Sequence, residues 1–489
     1  MIVLFNPWST PSRKTPLPMS LLAIGSMLEG DVDYAIVDGN ADRDPVARIV
    51  DLHVRHGVEA VAVTVMPGPQ LKSAVQDCRR LRQALPHVVI IWGGYFPSQH
   101  ADACLSESTV DICVRGQGER IIGPLVRAIR QGGALESIPG LTYREHGALR
   151  STPMAPVAPL DDLPDWPYHR LQMPRYLHRH YLGDRVTSHH SSFGCPHACS
   201  FCAVVGLSRR RWVAQSPDRV GDILERHRRE WHADAVQFHD MDFFIAEART
   251  EAIAERLRRV GLRWWALGRV DELMRYRAKT WEAMRASGLR MVFCGAESGS
   301  TEMLERMNKG GTAAAELTLD LAARMRAYGV VPEFSFVVGN PPDPAGDLAH
   351  TLRFIRRLKR VNPATEIILY VYSPVPLEGT LYESARSHGF RFPDTLDEWV
   401  SDRWQAFALR RNPDTPWSNG MVRRRVREFE SVLNAYFPTV TDSRLTRPRR
   451  AVLRALSAWR YHARMYRLPL ELMALQRAFH YQRPETTGF

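Results

Sequence analysis

The chain has almost no lysine. Of 489 residues only Lys14, Lys72, Lys279, Lys309 and Lys359 carry that side chain, against 60 arginines. The formal net charge of +12 is therefore an arginine charge. The arginines are scattered along the chain rather than massed in one stripe, as codon bias would leave them, so nucleic-acid binding is not expected. Long apolar runs are missing as well. None approaches the roughly 20 residues needed to span a bilayer. The opening Met1-Ile2-Val3-Leu4-Phe5-Asn6-Pro7 lacks a basic leader and a small-residue cleavage site, so it reads as a first β-strand, and a cytoplasmic location is expected. Cysteine is scarce, with seven residues, too few and too dispersed for a disulfide framework. Cys78, Cys104, Cys113 and Cys294 lie inside apolar runs and read as small buried hydrophobes. There is no G-x-G-x-x-G at the first helix, no Walker lysine, no internal repeat and no low-complexity tract.

What remains is a globular composition, 45% hydrophobic and 24% charged, in a chain too long for one core, so two or three domains are expected. From residue 1 to about 131, five short β-branched runs (2–5, 34–37, 60–65, 88–92 and 111–114) alternate with amphipathic stretches at 20–29, 45–56, 70–85, 98–105 and 120–131. Continuous apolar strands with helices between them predict a doubly wound, Rossmann-like parallel sheet over 1–150. A Pro-rich connector follows at 151–180, whose prolines favour extended backbone. A second alternating series places strands at 186–189, 235–239, 264–268, 291–295, 333–338 and 366–372, with helices such as 219–231, 249–259 and 313–328. Six βα units over 181–385 predict a partial barrel with its chemistry at the C-terminal strand ends. Residues 386–489 read as a helical, basic and aromatic region. The fold class expected is α/β throughout the first two parts.

The remaining cysteines form one cluster, Ser192-Phe193-Gly194-Cys195-Pro196-His197-Ala198-Cys199-Ser200-Phe201-Cys202. Three thiolates with this spacing can each bind one iron of a cubane. A closed structural site normally takes four ligands. The fourth is missing nearby, which leaves one iron free for an exogenous molecule. A zinc knuckle is the plainer alternative. Other glycine-rich or acidic turns fall at strand ends. Phe238-His239-Asp240-Met241-Asp242-Phe243-Phe244 closes the second barrel strand, Gly268-Arg269 the third, Gly295-Ala296-Glu297-Ser298-Gly299 the fourth and Val338-Gly339 the fifth. An acidic residue at a strand end is often only a helix cap. In the first domain three loops qualify for ligand approach: Thr64-Val65-Met66-Pro67-Gly68, Gly93-Gly94-Tyr95-Phe96-Pro97 and Arg115-Gly116-Gln117-Gly118-Glu119.

The CxxxCxxC pattern resembles the radical S-adenosylmethionine superfamily. The first-domain phrases "GG-x-[HF]-P" and "D-x-x-x-x-GEGE", here Gly93 to Pro97 and Asp111 to Glu119 with Gln117 in place of the usual Glu, are similar to the cobalamin-binding domain fused to many of its members. The connector phrase Leu160-Asp161-Asp162-Leu163-Pro164 fits too, and the resemblance spans roughly residues 1–400. It implies a 4Fe-4S cluster on Cys195, Cys199 and Cys202, with S-adenosylmethionine chelated to the open iron. Phe201 and Gly339 would lie near the adenine, Asp240 near the methionine amine, Arg269 on its carboxylate, and Glu297 and Ser298 at the ribose. Cobalamin would sit against Thr64, Met66, Gly93, Gly94, Tyr95, Gly116, Gly118 and Glu119. Asp51-Leu52-His53-Val54-Arg55-His56-Gly57 imitates the D-x-H-x-x-G signature that gives a histidine to cobalt, but it has one residue too many and lies on a helix. Base-off cobalamin without a histidine ligand is therefore expected, with the 64–67 loop beneath the cobalt.

The implied activity is methyl transfer to an unactivated carbon of a small-molecule substrate, through a 5′-deoxyadenosyl radical and methylcobalamin. A cyclase or rearranging enzyme without methyl transfer is the alternative, since Ile367 to Thr380 resembles the branch containing anaerobic porphyrin-ester cyclases. A non-catalytic cobalamin or redox sensor is the rival from another class, and it has no use for an open-iron site on a whole barrel. A flavodoxin or ferredoxin would supply electrons to a monomer. Tyr370 and Tyr372 read equally as cavity or core residues. The stretch 444–483, rich in Arg with Trp459, Tyr461, Tyr466, Phe479 and Tyr481, reads first as a capping helix with a solvated basic face, with a membrane-surface helix as the alternative.

Overall fold

The computed structural model describes residues 1–10, 15–310, 314–377, 379–410, 413, 415–418, 420–442 and 445–479. Its first sheet is built from β1 (Ile2–Asn6), β2 (Tyr34–Asp38), β3 (Ala60–Thr64), β4 (Val89–Gly93), β5 (Ile112–Val114), β6 (Leu141–Glu145) and β7 (Ala148–Ser151). The spatial order is β2-β1-β3-β4-β5-β6-β7. The first five strands are parallel, and β6 and β7 run antiparallel at the edge. Helices cover both faces because the parallel strands are apolar on both sides: Val3 and Phe5 enter one buried cluster, Ile2 and Leu4 another. Local signals set the helix ends. In Pro45–His56, Asp44 accepts from the Ala47 N–H at 3.1 Å, proline opens the first turn, and Gly57 ends the helix at φ 67°.

The edge hairpin was not expected from sequence. Only Leu141, Thr142 and Tyr143 of its nine strand residues are buried, so it carries almost no hydrophobic pattern. Its turn residues, His146 at φ 47° and Gly147 at φ 82°, suit the tight connection. The helix expected at 98–105 is broken into Tyr95–Gln99 and Ala101–Cys104 at His100. The helix expected from 313 is described as Ala315–Ala327, and Ala313 lies outside the described residues.

The second sheet comprises β8 (His178–His180), β9 (Gly183–His189), β12 (Ala235–Phe238), β13 (Arg263–Arg269), β14 (Leu289–Glu297), β15 (Val331–Val338) and β16 (Glu366–Val371), in the order β16-β15-β14-β13-β12-β9-β8. The six strands from β9 to β16 are parallel, and β8 is antiparallel to β9. This is the expected six-unit partial barrel. Between β9 and β12, a separate two-stranded ribbon pairs β10 (Ser192–Gly194) with β11 (Trp212–Ala214).

The connector is tied to both sheets. Gln117 Oε1 accepts from the Ala158 N–H at 2.7 Å, Tyr176 donates to Asp38 at 3.0 Å, and Arg219 donates to the Leu160 carbonyl at 2.7 Å. Gln117 therefore holds the strap, a contact that an amide side chain serves without a charge. In the C-terminal region, Phe390, Trp399, Trp404 and Phe407 join the buried cluster of the first domain, while Val422, Val426, Phe429 and Val432 join that of the barrel. The region thus clamps both. Among the described residues, no helix is long and apolar enough to cross a membrane.

Candidate functional site

The cysteine loop leaves β10 at Gly194. Its φ is 82°, and a Cβ there would lie 2.1 Å from the Arg211 carbonyl oxygen, so the turn requires glycine. The ribbon is pinned from below by Asp240, whose carboxylate accepts from the Ser191 N–H (3.1 Å), the Ser191 hydroxyl (2.8 Å) and the Ser192 hydroxyl. The far side of the loop is held by the segment after β14. Ser200 donates its N–H to the Met307 carbonyl at 2.9 Å, and Asn308 donates to the Ala198 carbonyl at 2.9 Å.

Cys199 is buried, and Cys195 and Cys202 are half-buried. Burial pushes the Cys195 thiol up to about 12 and the Cys202 thiol up to about 11, with neighbouring Asp242 adding to the first and Cys199 to the second. Metal-free Cys195 and Cys202 therefore hold their protons, and a metal must displace them to bind. The other four cysteines are buried, as expected.

Around the trio lies a ring of charge. Arg269 at the end of β13 is 5% exposed. Its guanidinium grips Asp271 through Nε (3.0 Å) and Nη2 (3.2 Å), donates to the Lys309 carbonyl at 2.7 Å, and turns Nη1 to Cys199 Sγ at 3.5 Å. Lys309 Nζ pairs with Glu297 Oε1 at 2.8 Å, both buried, and sits 5.8 Å from the centre of the Phe201 ring. On the opposite side, His197 Nε2 meets Glu272 Oε1 at 2.7 Å. Asp242 faces Glu272, and burial together with that second carboxylate raises its pKa well above the usual range. Apart from Glu272, neither oxygen of Asp242 has a hydrogen-bond partner.

Several expected contacts fall elsewhere. Asp240 is saturated by the β10 serines, so Asp242 is the carboxylate of that segment left open beside Cys195. Arg269 spends its bidentate fork on Asp271, which leaves it a donor to the Cys199 sulfur rather than a free fork for a carboxylate. Ser298 is fully buried, and its hydroxyl accepts from the N–H of Ser300, the residue that caps the next helix, at 3.1 Å. Gly339 is roofed by the C-terminal region: Trp417 donates to its carbonyl at 3.1 Å, and a Cβ would sit 2.9 Å from Val422. Glu297 reaches the site, paired with Lys309. Tyr372 is buried core and Tyr370 is half-buried.

At the carboxyl edge of the first sheet, the loops after β3, β4 and β5 converge. Ser98 stitches two of them by donating to the Gly94 carbonyl at 2.6 Å and accepting from the Gly116 N–H at 2.9 Å. Thr64 lies beside Gly94 and accepts from Ser20 at 3.1 Å, and Met66 is exposed. A Cβ on Gly93 would meet only Val114, at 3.9 Å, so the strand end is open to a flat ligand. Gly118 packs against Ile24, and desolvation raises the Glu119 carboxyl. Tyr95 faces Arg410 and Gln99, and Gln99 donates to the Ala203 carbonyl, one residue past Cys202, at 2.8 Å. The open glycine edge and the cysteine loop are therefore neighbours. His53 is at the wrong end: its ring contacts the Val58 carbonyl at 3.1 Å, beside the amino end of β3.

His197, Asp242, Asp271, Glu272, Lys309 and Arg410 were not singled out from sequence. Lys309 carried a usable signal, being one of five lysines in an arginine-rich chain. His197 and Asp242 lay inside motifs already marked, Asp271 and Glu272 had no signal beyond following a strand end, and Arg410 had none. Cys195, His197 and Asp242 also offer ligand atoms within 4.8 Å of one another. With His197 committed to Glu272 and two further thiols adjoining, the sulfur trio is the better donor set for iron.

The structure thus sets an open α/β edge beside a three-thiol loop on a partial barrel. Two family models match, the B12 binding domain over residues 12–125 and the Radical SAM superfamily over 190–355. The chain therefore pairs a B12-binding domain with a Radical SAM domain, the combination of the cobalamin-dependent radical S-adenosylmethionine enzymes. An uncharacterized methyltransferase of Pyrococcus horikoshii is 27% identical over 346 residues, 70% of this chain and 73% of that protein. The anaerobic magnesium-protoporphyrin IX monomethyl ester cyclase of Synechocystis is 24% identical over 307 residues, 61% of this chain and 60% of that protein. The radical S-adenosylmethionine methyltransferase TsrM of Kitasatospora setae shares the fold, with a TM-score of 0.65, 19% identity, and coverage of 80% of this chain and 77% of that one.

Proposed function

We propose that the chain methylates an unactivated carbon of a small molecule, taking electrons from an external flavodoxin or ferredoxin. The observation that carries this is three cysteine thiols, with no fourth beside them, set next to a sheet edge that glycine leaves open. The residues fit the two cofactors: three soft sulfur donors suit an iron–sulfur cluster, and the Gly93–Gly94 edge admits a flat macrocycle. When bound, the cluster and S-adenosylmethionine supply a carbon-centred radical, and cobalamin supplies the methyl group.

The protein's own groups bind and position. Cys195, Cys199 and Cys202 hold the cluster, Asp242 and Glu272 would receive the methionine amine, and Phe201 would pack near the adenine. Lys309 keeps Glu297 turned into the site, and Arg269 loads positive charge onto Cys199. Gly93, Gly94, Tyr95 and Gly116 would line the corrin, with Thr64 and Met66 under it. Because His53 lies at the amino end of the sheet, the reading includes base-off cobalamin without a histidine ligand. The division into 1–150, 151–180, 181–385 and 386–489 belongs to the same reading.

Reconstituted, reduced enzyme given S-adenosylmethionine and substrate should release 5′-deoxyadenosine and add one CH2 unit per turnover by mass spectrometry. Substrate consumed without that mass gain sinks methylation. It would favour ring formation, the second reading, which the likeness to the Synechocystis cyclase supports.

A further inference from the structure

Large apolar side chains that face solvent are not spread evenly over this chain. Of the eleven in the described residues, six fall between positions 452 and 470: Val452 (44% exposed), Leu456 (46%), Trp459 (52%), Met465, Leu468 and Leu470. The first three lie on the helix Arg447–Ala463 at spacings of four and three, which puts them on one face. A different face, Leu453, Ser457 and Tyr461, is buried against the protein. The exposed stripe therefore contributes nothing to the core, and single exposed apolar residues are ordinary where a continuous band is not.

The charge around the band has one sign. Residues 443–470 contain eight arginines and no Asp or Glu. At 100° per residue, Arg449 lies on one flank of the band and Arg447 and Arg454 on the other, with Ala451, Ala455 and Ala463 filling the face between. All three arginines are exposed. Two carboxylates from outside that stretch reach it: Glu471, which Arg460 neutralises, and Glu428, which accepts from the Leu468 N–H at 3.2 Å. Elsewhere the arginines are diluted by carboxylates, since the whole chain has 53 acidic residues. Here they are not.

We propose that this helix face docks the enzyme on an anionic lipid surface, with Leu456 and Trp459 entering the headgroup boundary and the flanking arginines holding lipid phosphates. An apolar stripe between two cationic rows is the pattern of a helix lying in a membrane plane. A tryptophan on that stripe suits the interface, where one end of the ring is apolar and the other wet. A second copy of this chain would bring the same arginines against themselves, so charge selects a negatively charged occupant. The assignment is independent of the reaction catalysed at the cluster.

The test is co-sedimentation of the full-length, cluster-loaded enzyme with vesicles of equal parts phosphatidylglycerol and phosphatidylcholine, against phosphatidylcholine alone. Binding should be at least about tenfold stronger to the anionic vesicles and fall as salt is raised. The double variant Leu456→Glu, Trp459→Glu should lose about tenfold or more, and Arg447→Gln, Arg449→Gln, Arg454→Gln should weaken binding and flatten its salt dependence. These side chains are exposed, so cluster absorbance and melting temperature should stay at wild-type values. Equal binding to both vesicles, or an unchanged double variant, overturns the proposal. So does a concentration-dependent dimer that the double variant breaks while vesicles retain nothing. Binding that emerges only when residues 480–489 are removed names that segment as the occupant, and also overturns it.

Discussion

Replacing Arg269 tests how the protein sets the cluster's electronics. Its Nη1 lies 3.5 Å from Cys199 Sγ, and the group is 5% exposed. Reduction adds one negative charge to the cluster, so a nearby cation favours the reduced state. A unit charge about 5 Å away at an effective dielectric of about 20 is worth about 3 kcal/mol, or roughly 130 mV for one electron. In Arg269→Met the cation is gone and Asp271 remains, so the midpoint potential should fall. Relaxation of the site around the lost cation trims the effect, which leaves an expected drop of about 50–130 mV. Arg269→Lys keeps a charge while losing the fork, and should shift the potential less. The assay is a redox titration followed by electron paramagnetic resonance, on samples matched for iron and sulfide. A potential unchanged within about 20 mV at equal cluster content would refute the reasoning. Stability is a separate readout: stranding buried Asp271 should cost about 3–5 kcal/mol, seen as a lower melting temperature.

Other consequences follow from the same geometry. Lys309→Met leaves Glu297 buried without its partner and should destabilise the fold by about 3–5 kcal/mol, whereas Lys309→Met with Glu297→Gln should recover much of that loss in chemical denaturation. The raised thiol pKa values of Cys195 and Cys202 set a pH window for the metal-free protein. From pH about 9, the ordinary value, the unfolded chain loses these protons while the folded chain keeps them to about 12 and about 11. Stability should therefore fall with rising pH, by roughly 1.4 kcal/mol per unit for each thiol. Cluster-loaded protein, with the thiols already deprotonated on iron, should lack that slope in urea melts taken across the window.

The expectations that held rested on short-range patterns. Alternation of apolar strands with amphipathic helices marked both sheets, because each buried strand declares itself over five or six consecutive residues. Three cysteines within eight positions declared their shared loop in the same local way. The β6–β7 hairpin escaped because its strands face water, and the break at His100 escaped because the surrounding residues are helix-compatible. Asp240 and Asp242 show where this kind of reading ends. They are two positions apart in one motif, and both are acidic. Only the arrival of Ser191 and Ser192 from another element saturates the first and leaves the second open.

By itself the sequence determined the class of fold, the clustering of three cysteines on one loop and the glycines at the sheet edge, since each depends on residue type at fixed local spacing. Tertiary structure alone decided that Arg269 serves a cysteine sulfur, that Lys309 and Glu272 belong to the site, and that Gly339 is roofed. Those outcomes depend on partners 40 to more than 70 positions away in the chain. Which donor reaches which acceptor across such a gap is set by how barrel and sheet pack, and no local pattern encodes it.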